Sequence, residues 1–357
     1  MFGLDTKGKV LFQQKWQGDL SEYVTVVAWS SDGLLAASSA AGEVVVWQDG
    51  ILVSLLPAGV ASIDCLTFSD DGKFLAAGGQ DGKVRVWSIL PGSIQKELKL
   101  IATLDNAPTW IDKLAWSPTC NYLAFGVGRN VKIWDADSQT VITTLPFVSS
   151  SVLDLAWRPN GDSIAIAGNG EVKISYTQNW DDKPHIIDLP SASIVTAWSG
   201  DSKYIASVNF DNTITIFEYG SPQPWVMRGP GKISNLTWSQ RLSNNTPLLA
   251  ASIVESIVVW KKKANDKDLW NARVLNLHES KIQALEFHPH STLLASAADD
   301  GRLCLWTKAK KVGQTLEGAR GGFSCLVWSK NGQQLAAGGQ DGELIIWSEY
   351  ERGKRFT

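Results

Sequence analysis

Short apolar and β-branched runs, broken by Asp-Gly, Asn-Gly and Gly-Gly pairs, follow one another along almost the whole chain. The stretch from Val24 to Trp47 reads VTVVAWSSDGLLAASSAAGEVVVW, and that from Ser62 to Trp87 reads SIDCLTFSDDGKFLAAGGQDGKVRVW. Each holds three strand-like runs separated by residues that accept the positive φ angles of tight hairpins. An aromatic closes the first run at Trp29, Phe68, Trp116, Trp157, Trp198, Trp238, Phe287 and Trp328. A second marker closes the third run at Trp47, Trp87, Trp134, Ser175, Phe217, Trp260, Trp306 and Trp347. Successive second markers lie 40, 47, 41, 42, 43, 46 and 41 residues apart, so the chain is eight copies of one unit.

A fourth strand candidate lies between units, as in residues 51–57 (ILVSLLP), 97–104 (ELKLIATL), 140–146 (TVITTLP) and 272–277 (ARVLNL). No segment carries a helical period. Four strands in about 42 residues are the footprint of a propeller blade, and the near-continuous apolar strands fit sheets buried on both faces. The expected fold is an all-β propeller of eight four-stranded blades, or of seven if the fourth unit, with Ser175 in place of Trp, is distorted. Its repeat units are expected at about 24–47, 63–87, 111–134, 152–175, 193–217, 233–260, 282–306 and 323–347. The last unit lacks an outer strand, and the N-terminal segment 8–16 is expected to supply it and close the ring in a single domain over 1–357.

These units resemble the WD-repeat (WD40) family. They share an aromatic-Ser-x-Asp-Gly turn, then Leu-Ala, then a turn Asp six residues before the second marker, present as Asp81, Asp211, Asp300 and Asp341. The departures mark a divergent member. Only Trp134-Asp135 keeps the Trp-Asp dipeptide; Asn169 replaces the turn Asp, and Ala41, Gly128 and Val254 lack it. The resemblance implies a buried His–Ser–Asp–Trp hydrogen-bond chain in the blades that carry all four residues. Here that is the seventh unit alone, with His278, Ser296, Asp300 and Trp306; elsewhere the Ser position is often Ala (Ala37, Ala77, Ala251, Ala337).

Composition sharpens this picture at one point. The chain has 17 Trp and 2 Met in 357 residues, and the two repeat columns absorb 12 of the Trp. Trp16, Trp180, Trp225 and Trp270 fall on or beside outer strands and are read as edge covers, leaving Trp110 outside every pattern. The net charge of −3 argues against a whole-protein polyanion binder, so nucleic acid is disfavoured as a partner. No apolar run is long enough to span a membrane as a helix. The N-terminal stretch lacks a signal-peptide pattern, and Cys65, Cys120, Cys304 and Cys325 form no C-x-x-C pair. The expectation is a monomeric cytoplasmic protein with reduced thiols.

Chemistry is sparse. His288-Pro-His290 is the one close histidine pair and has no third ligand spaced to complete a metal site. Asp64, Asp112 and Asp154 are dispersed over three units, and no nucleophile elbow or phosphate loop is present. The reading is therefore not an enzyme, with no cofactor and no metal. The resemblance implies a scaffold that docks one or more proteins on the face carrying the loops into each first strand and between second and third strands, called the top here. On that rim it places Tyr23, Asp64, Gln80, Trp110, Asp112, Phe210, Lys232, Lys281, Asp299 and Gln340. Trp110 is either an interface anchor or a cap on its own blade. The alternative is an anion or nucleic-acid site on the opposite, bottom face, where Lys261, Lys262, Lys263, Lys308, Lys310 and Lys311 form a basic arc continued by Lys267, Lys354 and Arg355 and diluted by Asp266 and Asp268. A channel-located hydrolase is the third reading.

Overall fold

The computed structural model describes residues 10–90, 97–221, 223–229, 231–240, 247–263 and 270–350. Among them are eight four-stranded antiparallel sheets. Strand β1 (Phe12–Asp19) precedes the first complete blade, β2 (Val24–Trp29), β3 (Leu35–Ser39), β4 (Val44–Gln48) and β5 (Ile51–Leu56). Blade 2 is β6 (Ile63–Phe68), β7 (Phe74–Gly79), β8 (Lys83–Ile89) and β9 (Leu98–Asp105). Blade 3 is β10 (Leu114–Trp116), β11 (Tyr122–Val127), β12 (Asn130–Asp135) and β13 (Thr140–Pro146). Blade 4 is β14 (Asp154–Trp157), β15 (Ser163–Ala167), β16 (Glu171–Tyr176) and β17 (His185–Asp188). Blade 5 is β18 (Ser193–Trp198), β19 (Tyr204–Asn209), β20 (Thr213–Glu218) and β21 (Trp225–Arg228). Blade 6 is β22 (Ile233–Trp238), β23 (Leu249–Ile253), β24 (Ser256–Lys262) and β25 (Trp270–Asn276). Blade 7 is β26 (Ile282–Phe287), β27 (Leu294–Ala298), β28 (Arg302–Thr307) and β29 (Lys311–Glu317). Blade 8 is β30 (Phe323–Trp328), β31 (Gln334–Gly339) and β32 (Glu343–Glu349), completed by β1.

The innermost strands touch in sequence from β2 round to β30, and β30 touches β2, so the ring is closed with eight blades. The weak fourth unit is a full blade: Ser175 occupies the Trp position opposite Ile164 without distorting the sheet. The closing strand comes from the N-terminal segment, running antiparallel to β32 with Gln13 opposite Ser348 and Asp19 opposite Glu343. It extends three residues beyond Trp16, while the first residues of the expected 8–16 segment lie outside the described ones.

The burial pattern explains the composition of the strands. The second strand of a blade is sandwiched by both neighbours, and β3, β7, β15, β19, β23 and β27 are buried at every position. Pairs such as Ala36-Ala37, Ala76-Ala77 and Ala336-Ala337 are fully buried there, because small side chains let stacked sheets approach. Apolar clusters accordingly lie between blades: Val46 and Leu34 of blade 1 pack with Phe68 and Trp87 of blade 2.

Both aromatic columns have work beyond filling space. Indole N–H groups of the first column reach back to the preceding inner strand: Trp116 to the Thr67 carbonyl at 3.1 Å, Trp157 to Ala115 at 2.9 Å, Trp238 to Ala197 at 3.0 Å and Trp328 to Glu286 at 3.3 Å. Phe68 and Phe287 cannot make this bond. In the second column Trp306 donates to Ser296 Oγ at 2.9 Å; His278 Nε2 lies 2.8 Å from the same hydroxyl and its Nδ1 lies 3.0 Å from Asp300 Oδ2. Asp300 in turn accepts the Glu279 and Arg302 amides. Burial pushes the Asp300 carboxyl up, but these hydrogen bonds and His278 outweigh it and hold the group below its usual range. Blade 5 uses a different polar core that the sequence pattern does not reveal: the Ser207 hydroxyl lies 2.6 Å from that of Ser193 and 2.9 Å from Asn209 Oδ1, and the Asn209 amide donates to Thr213 and Thr215.

Candidate functional site: the top rim and the bottom edge

The top face is built by two loop families that hydrogen-bond to each other. In five of the eight blades the amide that follows the second strand donates to the loop entering the inner strand: Ala40 to Tyr23, Gln80 to Ser62, Phe210 to Ala192, Asp299 to Lys281 and Gln340 to Gly322. These bonds bring Lys281 and Asp299 together and place Tyr23, Gln80, Phe210 and Gln340 each beside a residue of the partner loop. A further device was not visible in the sequence. Six inner strands carry a register shift at the same point, between Val24 and Val26, Ile63 and Cys65, Ser193 and Val195, Ile233 and Asn235, Ile282 and Ala284, and Phe323 and Cys325. A bulge leaves one residue out of the ladder and re-aims its side chain. Two of those side chains stitch blades together: Thr25 donates to the Ile63 carbonyl at 2.5 Å, and Ser324 to the Val24 carbonyl at 2.6 Å.

Among the bulge residues are Asp64 and Gln283, and they connect to the rim. Ser62 Oγ donates to Asp64 Oδ1 at 2.6 Å. Gln283 accepts from Lys281 Nζ at 3.0 Å and donates to Asp299 Oδ1 at 2.8 Å; Gln340 Nε2 donates to the same oxygen from the neighbouring blade. Lys281, Gln283, Asp299 and Gln340 thus form one polar network across the blade 7–8 junction. Tyr23 lies near it, exposed on the rim, its phenol pushed up by partial desolvation and by the charges of Cys325 and Asp299.

Large apolar side chains stand exposed elsewhere on the rim. Trp110 keeps 61% of its surface exposed and Phe210 72%, and Val60, Val148 and Val254 are exposed on the same face. The loop beneath Trp110 is tightly held. Asn106 donates its amide to Gly82 and accepts Lys132 Nζ at 2.7 Å, Thr109 donates to Asn106, and the Ile111 amide donates to Gly79 while its side chain is fully buried. The indole makes no hydrogen bond or ring contact among the described residues. Asp112, Lys232 and Gln80 are exposed on this face and likewise carry no ion pair there.

Of the three carboxylates Asp64, Asp112 and Asp154, Asp154 ties neighbouring blades together. Asp154 accepts the Thr196 amide at 2.7 Å from the next blade and lies 3.5 Å from Lys113; burial raises its affinity for a proton. Glu286, absent from the sequence reading, accepts the Trp328 amide at 2.9 Å, and burial pushes its carboxyl up to about 7. His288 and His290 clamp blade 7 to blade 8: His288 Nδ1 accepts the His290 amide, and the outward nitrogens reach the Gly332 and Lys330 carbonyls at 3.2 and 2.9 Å. Among the described residues no three His, Cys, Asp or Glu side chains gather as metal ligands. The Cys304 and Cys325 thiols are pushed up to about 12 and 11, chiefly by desolvation, whereas Cys120 is exposed.

On the bottom edge the lysines divide. Lys262 turns towards blade 5, where its Nζ lies 2.8 Å from Glu218 Oε2 and 3.2 Å from the Tyr204 hydroxyl, over the rings of Tyr204 and Trp225. It therefore does not join the others, and Trp225 and Trp270 belong to the same inter-blade aromatic group with Trp238. Lys261, Lys263, Lys308, Lys310 and Lys311 are exposed. Lys267, Lys354, Arg355, Asp266 and Asp268 lie outside the described residues.

Comparison with known proteins agrees with this architecture. The family model for the WD domain, G-beta repeat, matches residues 52–88, 98–135, 271–307 and 310–348, each an outer strand followed by the three strands of the next blade. The fold and these repeats define a β-propeller of eight blades. The chain is a divergent member of the WD40-repeat family. Similar proteins include the WD repeat-containing protein 26 homolog of Arabidopsis thaliana (24% identity, 79% of this chain, 48% of the relative) and the Arabidopsis transcriptional corepressor LEUNIG_HOMOLOG (22%, 83% and 36%). Protein HIR1 of Cryptococcus neoformans is 24% identical over 79% of this chain and 37% of its own length. The chain thus spans less than half the length of these curated relatives. Among solved structures, Chaetomium thermophilum Sqt1, bound in that structure to the N-terminus of ribosomal protein L10, superposes with a TM-score of 0.79 at 17% identity over 92% of this chain and 97% of that one.

Proposed function

We propose that this protein is a cytoplasmic docking scaffold rather than an enzyme, and that it seats a protein partner on the top rim. The observation that carries the reading is Trp110: a largely exposed indole on a loop fixed by buried and hydrogen-bonded neighbours, on the same face as exposed Phe210. Aromatic anchors of this kind dominate interface energetics when a partner encloses them, and a rigid loop lowers the ordering cost of binding. The Lys281–Gln283–Asp299–Gln340 network supplies a polar flank whose hydrogen-bonding groups are already oriented, with Tyr23, Asp64, Asp112 and Lys232 adding complementarity around the channel mouth. Sqt1, of the same fold, has a protein segment as its partner, which supports the class of ligand.

The test is an affinity capture from source lysate with wild type, Trp110→Ala and Lys281→Ala baits, each first shown to melt at the wild-type temperature. A partner retained by wild type should be lost by Trp110→Ala, with affinity for the purified partner weakened by about 2 kcal/mol or more. Partners captured equally by all three baits would move docking away from this rim.

A further inference from the structure

On the bottom edge, between blades 6 and 7, a cleft of about 190 Å³ is lined by Lys261, Arg273, Lys308 and Lys310 around a floor that includes Leu248, Val259 and Ala309. Register explains the grouping. Val259 pairs with Arg273 and Lys261 with Asn271, so alternate residues of the β24–β25 hairpin put two cations and an apolar side chain on the face turned to blade 7. Blade 7 answers with the turn Thr307–Lys310. Lys308 and Ala309 both hold positive φ, 55° and 48°, the conformation of a tight turn that usually takes Asn-Gly. Ala309 accepts it because its methyl is buried in the blade 6–7 core, and its burial leaves Lys308 and Lys310 standing on either side.

Among the described residues the four cations have no ion-pair partner and no acidic side chain lines the cleft. By contrast the nearby Lys262 is neutralised by Glu218 on the other side of the sheet. We propose that this cleft binds a phosphorylated peptide segment, a phosphoserine or phosphothreonine side chain lying among Arg273, Lys261, Lys308 and Lys310 with an apolar neighbour on Val259 and Leu248. A phosphoryl group brings nearly two negative charges and three acceptor oxygens, and a planar guanidinium beside three ammonium groups matches it. The cleft holds one such group rather than a track of phosphates, and no aromatic ring lines it on which a base could stack, so the chemistry fits a phosphopeptide better than nucleic acid.

The experiment titrates the protein calorimetrically with Ala-Leu-pSer-Leu-Ala and with the same peptide carrying serine. The phosphopeptide should bind saturably and the serine peptide about tenfold more weakly or not at all, the loss expected for charge-assisted hydrogen bonds. Arg273→Gln with Lys310→Gln should weaken the phosphopeptide about tenfold at an unchanged melting temperature, while Trp110→Ala leaves it unaltered. Should that double variant melt early, Lys308→Gln on the exposed turn makes the same comparison. Equal binding of the two peptides, no binding of either, or inorganic phosphate binding as tightly as the phosphopeptide would overturn the proposal. Displacement of the peptide by an equal concentration of a single-stranded DNA 12-mer would overturn it in favour of a general polyanion surface. None of these outcomes bears on the top rim.

Discussion

Gln314, on the outer strand of blade 7, grips Phe12 by its own backbone. Its Oε1 accepts the Phe12 amide at 2.9 Å and the Leu11 amide at 2.7 Å, and its Nε2 donates to the Phe12 carbonyl at 2.7 Å. One side-chain amide thus acts as a short piece of strand, fixing the start of β1 before it pairs with β32. The Phe12 ring completes the lock, buried and edge-on to Trp328 at 5.3 Å. Gln314→Ala leaves two amides and a carbonyl part-buried without partners. It should cost about 1–3 kcal/mol in urea unfolding and raise hydrogen exchange in β1 before other strands. Unaltered exchange at Phe12 would dissociate Gln314 from ring closure.

The tetrad of blade 7 gives a second expectation. Ser296→Ala strips a partner from both His278 and Trp306 in a buried site, for a loss of about 1–3 kcal/mol. The same Ala at position 337 is harmless because no histidine depends on it. Comparing Ser296→Ala with Ser296→Ala/His278→Leu by chemical denaturation checks the cause: removing the orphaned imidazole should return part of the loss.

The Trp column can be tested by a matched pair. Trp157 donates to Ala115, whereas the buried indole N–H of Trp198 has no partner among the described residues. Trp157→Phe should therefore cost about 1 kcal/mol more than Trp198→Phe, the worth of a net hydrogen bond, in equilibrium unfolding. Equal losses would make the inter-blade bond energetically idle.

Glu286 predicts a pH dependence. Burial raises its carboxyl from the usual 4.5 to about 7, so between those values the folded chain holds a proton that the unfolded chain has released. Its contribution is fully present below about pH 4.5 and is lost as pH rises through about 7. Glu286→Gln keeps an acceptor for the Trp328 amide without the charge. It should exceed wild type in stability by on the order of 1–2 kcal/mol at pH 8, the gap closing towards pH 5. Parallel stability–pH curves for the two proteins would refute the assignment.

The fold was legible because its unit is short, local and repeated eight times. Trp29 and Trp47, or Phe68 and Trp87, recur at a spacing that only one architecture satisfies, and the charged tail after Trp347 signalled a missing strand. What escaped depends on contacts between units. No pattern in VTVVAW or SIDCLTF announces a bulge at Thr25 or Asp64, since the register shift shows only once the second strand is paired. Gln314 carries no sequence pattern that sets it apart, and Lys262 was read with its neighbours. Alternation along β24 separates Lys262 from Lys261 and Lys263 and could have sent it to the other face. Arg273 was overlooked because it meets Lys261 only through the β24–β25 register and Lys308 and Lys310 only across the junction with blade 7.

Gln13 opposite Ser348 sets a condition on how the molecule comes into being. Strand β1 must wait through the synthesis of all eight inner strands for its partner, with an open edge in the interim. Pairing across so long a stretch of chain is slow, and an unpaired edge invites association with other chains. A ribosome-released fragment ending inside blade 7 is therefore not a smaller propeller but an arc with two adhesive ends, and the last blade decides whether the chain becomes a single particle.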